Sequence, residues 1–96
     1  MDLQNNPPSM SQKIFKMKLS VETVSLYLIC SSLADRGVAL STKNIRDLWN
    51  GTEKGLENGL GDLEQRHILT QIVSVSDREK YAVYRLLDDR EWKTSI

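Results

Sequence analysis

The sequence predicts a small α+β fold, three helices followed by a C-terminal β-hairpin, and two stretches carry that expectation. Residues 41–69, STKNIRDLWNGTEKGLENGLGDLEQRHIL, read as two helices joined by a tight Asn50-Gly51 turn. Residues 68–87 hold two runs rich in β-branched and aromatic side chains, ILTQIVSV and YAVYRLL, around the polar Ser76-Asp77-Arg78-Glu79-Lys80.

Taken from the N-terminus, residues 1–12 contain Asn5, Asn6, Pro7, Pro8 and Ser9, which favour extended or irregular backbone. The following KIFKMK alternates basic and apolar residues. It reads as an entry strand or helical extension that pins Ile14, Phe15 and Met17 on the core, or as a basic arm whose lysines touch phosphates. Residues 1–19 are accordingly expected to be a flexible arm. Ser20 begins the first long helix, from 21 to about 36, and Gly37 stands where a left-handed residue ends it. Leu26, Ile29, Cys30 and Leu33 share one side; Val21, Val24 and Leu28 share another, with Tyr27 between. A helix apolar nearly all round is buried on more than one face. One face packs on the later helices, and the other needs the sheet, the N-terminal segment or a second copy of the chain.

Val38, Ala39 and Leu40 form a short extended run. Ser41 or Thr42 can then cap a helix whose apolar residues are Ile45, Leu48 and Trp49. Thr52 can cap the next, with Leu56, Leu60 and Leu63 in one stripe. That helix also holds Gly55, Gly59 and Gly61, each costing about 1 kcal/mol relative to alanine in a helix interior. Gly55 and Gly59 fall beside the leucines, where a missing side chain admits a neighbouring helix. Gly61 lies nearly opposite, where it serves close approach of a ligand backbone or marks a weak or broken helix. The hairpin follows; its tip has neither Asn-Gly nor Gly, so a looser loop than a two-residue turn is expected. In the tail, residues 88–96, Trp92 is expected to fold back on the core or to bury in a dimer contact.

Composition excludes several functions. At 96 residues the chain makes one domain, and no apolar run approaches the roughly 20 residues that span a bilayer. The first ten residues lack the basic-then-apolar order of a signal peptide. One cysteine gives neither an intrachain disulfide nor a zinc cluster, so a cytoplasmic setting, with no membrane, metal or cofactor, is expected. Thirteen basic residues face thirteen acidic ones. Affinity for nucleic acid must therefore come from local distribution. Residues 1–20 carry Lys13, Lys16 and Lys18 against Asp2, whereas residues 51–67 carry Lys54 and Arg66 against Glu53, Glu57, Asp62 and Glu64.

Opposite the leucine stripe of the third helix lie Lys54, Asn58, Gly61 and Gln65, with no carboxylate among them; Glu53, Glu57 and Glu64 take one flank. Lysine can address guanine O6 and N7, and asparagine or glutamine adenine N6 and N7, so this face can read base edges or simply be solvated. The glutamate flank repels phosphates unless it faces away or pairs with Lys43 and Arg46. Ser41, Thr42 and Lys43 stand at a helix N-terminus that favours a phosphate, although capping alone explains the hydroxyls. Arg78 and Lys80 at the hairpin tip can track a backbone groove, diluted by Asp77 and Glu79. Catalysis is not expected. Cys30 and His67 are the only residues of their kinds, Cys30 sits on an apolar helix face, and no phosphate-binding glycine loop or nucleophile elbow occurs.

The order helix, strand, helix, turn, helix, hairpin, with SLYLICSSLADRG as first helix and NIRDLWNGTEKGLENGLGDLEQRHIL as helix-turn-helix, resembles small bacterial winged helix-turn-helix regulators of pilus, virulence and catabolic operons. The resemblance spans about residues 20–87. It implies a winged helix domain there, between the arm (1–19) and the tail (88–96), and a transcriptional regulator that binds double-stranded DNA. Such a protein would enter the major groove with residues 53–66. The DNA-contacting set would be Thr42, Lys43, Thr52, Lys54, Asn58, Gln65, Arg78 and Lys80, and a homodimer would form through helix one (Tyr27, Leu28) and Trp92. The alternative is a protein-interaction module of the same shape that binds no DNA.

Overall fold

A computed structural model describes residues 10–73 and 82–93. It is an α+β domain of three helices, α1 (Val21–Asp35), α2 (Thr42–Leu48) and α3 (Glu53–Gln65), with a three-stranded antiparallel sheet. The strands β1 (Leu40–Ser41), β2 (Leu69–Val73) and β3 (Val83–Leu86) lie in the order β1-β3-β2. Short 3₁₀ turns, Gln12–Lys16 and Asp89–Glu91, stand at the two ends. Among the described residues no helix is long and apolar enough to cross a membrane.

Each helix starts on a side-chain cap. The hydroxyl oxygens of Ser20, Ser41 and Thr52 accept from the backbone N–H groups of Thr23, Asn44 and Gly55 at 3.2, 3.0 and 2.9 Å. These bonds satisfy donors that a first helical turn leaves orphaned. Helix α1 stops as the sequence requires. Gly37 takes φ +72°, the Gly37 N–H reaches the Ala34 carbonyl, and the Val38 N–H reaches that of Leu33 at 2.9 Å. Helix α3 ends in the same way without a glycine: His67 holds φ +58° while the Ile68 N–H bonds to the Leu63 carbonyl at 2.9 Å. These closures shorten the strands. Val38 and Ile68, expected in strands, spend their N–H groups on helix ends, so β1 and β2 begin later.

The core gathers Leu26, Tyr27, Cys30 and Leu33 of α1, Ile45 of α2, and Leu56, Leu60 and Leu63 of α3, closed by Leu69 and Tyr84 of the sheet. Gly59 brings α1 and α3 together, since an added Cβ would collide with the Leu26 Cδ1 methyl. Helix α3 runs unbroken through Gly61 to Gln65, so the broken-helix alternative does not occur. In the sheet, Leu40 pairs with Tyr84 and Leu69 with Leu86. The register shifts between Gln71 and Val73, and Ile72 there stays 57% exposed.

Residues 10–19 belong to the packed body. Ile14 is fully buried, although Phe15, expected beside it, is exposed. The Ser11 N–H donates to the Tyr27 hydroxyl at 2.7 Å, and the Ser11 hydroxyl to Asp89 at 2.7 Å. Trp92 folds back as one of the two expectations held: its ring meets Tyr27 edge-on at 5.4 Å and its indole N–H donates to the Leu87 carbonyl at 3.1 Å. The expected dimer contact named Tyr27, Leu28 and Trp92, and two of these three are buried within the protomer. Tyr27 (1% exposed) and Trp92 (6%) are spent on each other inside the protomer, and only Leu28 of the three is on the surface. The N-terminal segment and the tail cover Tyr27, whereas Val21 (81% exposed) and Leu28 (38%) on the other apolar side of α1 remain at the surface.

Candidate nucleic-acid interface

The α2–α3 pair is held by contacts that set the third helix relative to the rest. Helix α2 is fixed to the sheet at its first residue. The Thr42 N–H donates to the Ala82 carbonyl at 2.9 Å, and its hydroxyl accepts the Ala82 N–H at 3.1 Å while donating to that same carbonyl at 3.2 Å. Trp49 then leaves the helix with extended backbone, and its indole N–H donates to the Thr52 carbonyl at 2.8 Å. The ring lies across Gly51, where an added Cβ would stand 2.6 Å from the indole Cζ2. The turn needs glycine because a tryptophan occupies the space. Arg46 closes the corner: its Nε and a terminal nitrogen donate to the two carboxylate oxygens of Glu53 at 3.2 and 2.7 Å. That pairing, first among the causes, holds the guanidinium pKa above its ordinary value.

On α3 the leucine stripe faces inward, with Leu56, Leu60 and Leu63 at 1, 6 and 0% exposure. Lys54, Asn58, Gly61 and Gln65 are all exposed. The acidic residues of the helix are largely occupied. Glu53 is held by Arg46. Asp62 accepts from Arg66 Nε at 2.9 Å and from the Thr23 hydroxyl at 3.1 Å. Glu64 accepts from Gln71 Nε2 at 3.2 Å. Glu57 is exposed on the flank. The face away from the core therefore displays an ammonium and two amides, and three of the four carboxylates on the helix already accept hydrogen bonds from the protein's own donors.

The remaining expected contact residues fall into three groups. Thr42 and Thr52 have their hydroxyls engaged, one by Ala82 and the other by the α3 cap. Lys43 is exposed beside Asp47 at 3.7 Å, with the two side chains 70 and 65% exposed, a pair that a competing phosphate can open. Arg78 and Lys80 lie outside the described residues, as does the hairpin tip. Of the N-terminal lysines, Lys16 and Lys18 are exposed. Lys13 is instead committed inward, donating to the Asp89 carbonyl at 2.8 Å and lying over the Trp92 ring at 5.8 Å.

Two residues central to this geometry were not singled out by their sequence neighbourhood. By sequence alone Trp49 is an apolar position of α2, and Asp62 one unit of negative charge. The signal for Trp49 is its place two residues before Gly51; Asp62 stands four residues before Arg66, at salt-bridge spacing. Cys30 is fully buried, and burial pushes its thiol up to about 12, so it is a packing residue and not a nucleophile. Among the described residues no group of three or more His, Cys, Asp or Glu side chains is placed to hold a metal ion. A separate apolar groove of about 420 Å³ runs between α1 and the α2 end, lined by Val21, Leu28, Leu48 and Trp49 among others. No protein-family model, curated protein or solved structure matches the chain.

Proposed function

We propose that this protein is a winged helix-turn-helix regulator that binds double-stranded DNA and reads the major groove with α3. The observation that carries the reading is the exposed face of Lys54, Asn58 and Gln65 on a helix whose carboxylates at 53, 62 and 64 accept bonds from within the protein. An α-helix fits the major groove, and these three side chains carry the donors and acceptors that distinguish guanine and adenine there. Lys43, Lys16 and Lys18 supply phosphate contacts, joined by Arg78 and Lys80. With no net charge to attract DNA at long range, affinity depends on this local set.

A titration of labelled duplex at two ionic strengths tests the proposal. Each neutralised phosphate contributes a log–log slope of about −0.9, so affinity should fall steeply with salt. Lys54→Ala and Asn58→Ala should weaken binding to a sequence selected from a random pool by about 1–3 kcal/mol each. Absence of binding to any duplex at low salt would retire the proposal. It would favour the second reading, a protein-interaction module, for which the exposed apolar groove at Val21, Leu28 and Leu48 is the supporting observation.

A further inference from the structure

Most glycines among the described residues answer a structural demand. Gly37 adopts a left-handed φ, Gly51 lies under the Trp49 ring, Gly59 receives Leu26, and at Gly55 an added Cβ would stand 3.2 Å from the Thr52 hydroxyl. Gly61 answers none of these. It sits mid-helix, exposed, with nothing within 4 Å of the place its Cβ would occupy. Alanine there would favour the helix and touch no part of the protein. Yet along the helix Gly61 lies one turn after Asn58 and one turn before Gln65, on the exposed polar face at its edge toward Glu57.

We infer that Gly61 is the point of closest approach between α3 and the floor of the DNA major groove; this rests on the reading of α3 given above. Asparagine has a single methylene between backbone and amide, so Asn58 meets a base edge with both amide atoms only from a helix seated deep in the groove. A side chain at position 61 would reach the base edges first and lift the middle of the helix away. Without one, the helix backbone can settle until Asn58 and Gln65 contact bases on either side, with Lys54 a turn further toward the N-terminus. The missing Cβ is then a specificity feature. It governs contact with base edges, and hardly affects attraction to phosphates.

The test compares the full chain with Gly61→Ala and Gly61→Leu, using a duplex selected by the parent from a random pool and an unselected duplex at low salt. Gly61→Ala should melt at or above the parent temperature, and its affinity for the selected duplex should fall about tenfold or more. Gly61→Leu should lose more. Affinity for the unselected duplex should change by no more than about twofold, because phosphate contacts dominate it. Retention of parental affinity by Gly61→Ala overturns the inference and leaves α3 as the reading helix. Equal losses on both duplexes overturn it too, since they would place Gly61 against the phosphates. A parent that binds neither duplex removes the inference together with the reading beneath it.

Discussion

Cys30 sits with no exposure on the inner face of α1, and burial raises its thiol from 9.0 to about 12. Below pH 9 the thiol keeps its proton folded or unfolded, and the group is neutral to stability. Between 9 and about 12 the unfolded chain releases that proton while the folded chain holds it, so stability must fall as pH rises through this window. Tyr27 and Tyr84, also raised chiefly by burial, push in the same direction. Urea midpoints followed into alkaline solution should decline, by up to about 1.4 kcal/mol per pH unit for one such proton. Cys30→Ala should lower stability at neutral pH through the lost packing and flatten the alkaline slope; an unchanged slope would show the thiol to be solvated. Gly59 offers a second test at this scale. Gly59→Ala gains helix propensity but drives a methyl into Leu26, so it should destabilise by about 1–3 kcal/mol, where Gly61→Ala does not. Paired thermal melts distinguish the two sites.

At the scale of elements, α3 depends on its first turn. Thr52→Ala removes the acceptor for the Gly55 N–H and should cost about 1 kcal/mol, which lowers the melting temperature by about 4–8 °C in a domain of this size. Thr52→Asp should restore it, because a carboxylate both caps and complements the helix dipole. The Arg46–Glu53 pair behaves differently. Its side chains are 50 and 57% exposed, so Arg46→Ala should change stability by less than about 1 kcal/mol. It would, however, release the Glu53 carboxylate one residue from Lys54, so duplex affinity should fall well beyond the stability change. Duplex affinity unmoved by Arg46→Ala would show that the glutamate flank faces away from DNA. The elements themselves were largely legible in the sequence: hydroxyl caps at Ser20, Ser41 and Thr52, glycine at 37, and the leucine stripe all act through neighbours within one helical turn. The end of α3 was less so, because His67 occupies a left-handed position for which the usual marker is glycine. Thr42 was ambiguous for a related reason. A hydroxyl at a helix start suggests a cap or a phosphate, and its actual partner, Ala82, lies forty residues away.

Across the whole molecule, what the sequence concealed is how the two ends meet. Lys13 and Trp92 look like a surface cation and a loose tail residue; in the fold, Lys13 lies over the indole, Ser11 reaches Asp89, and the Lys93 N–H donates to the Arg66 carbonyl at 2.7 Å. Period and capping rules cannot reveal such contacts, since each joins residues many helical turns apart in the chain. The exposed polar face of α3 was legible for the opposite reason: Lys54, Asn58 and Gln65 share one helix, and helical spacing alone places them together. The closure of the ends also makes Trp92 a determinant of stability, through Tyr27, Lys13 and the Leu87 carbonyl. Trp92→Ala should cost about 3–5 kcal/mol, a large share of the 5–15 kcal/mol that holds a small domain folded. Trp92→Phe keeps a ring for Tyr27 but loses the bond to the Leu87 carbonyl, and should cost about 1 kcal/mol from that bond plus a smaller packing loss. Because the ring and indole N–H of Trp92 engage Tyr27, Lys13 and the Leu87 carbonyl, Trp92→Phe should leave duplex affinity unchanged at temperatures where it is folded. If the same variant instead dissociated an oligomer, Trp92 would have to lie at an interface between copies, and its burial against Tyr27 within one protomer would no longer account for its effect.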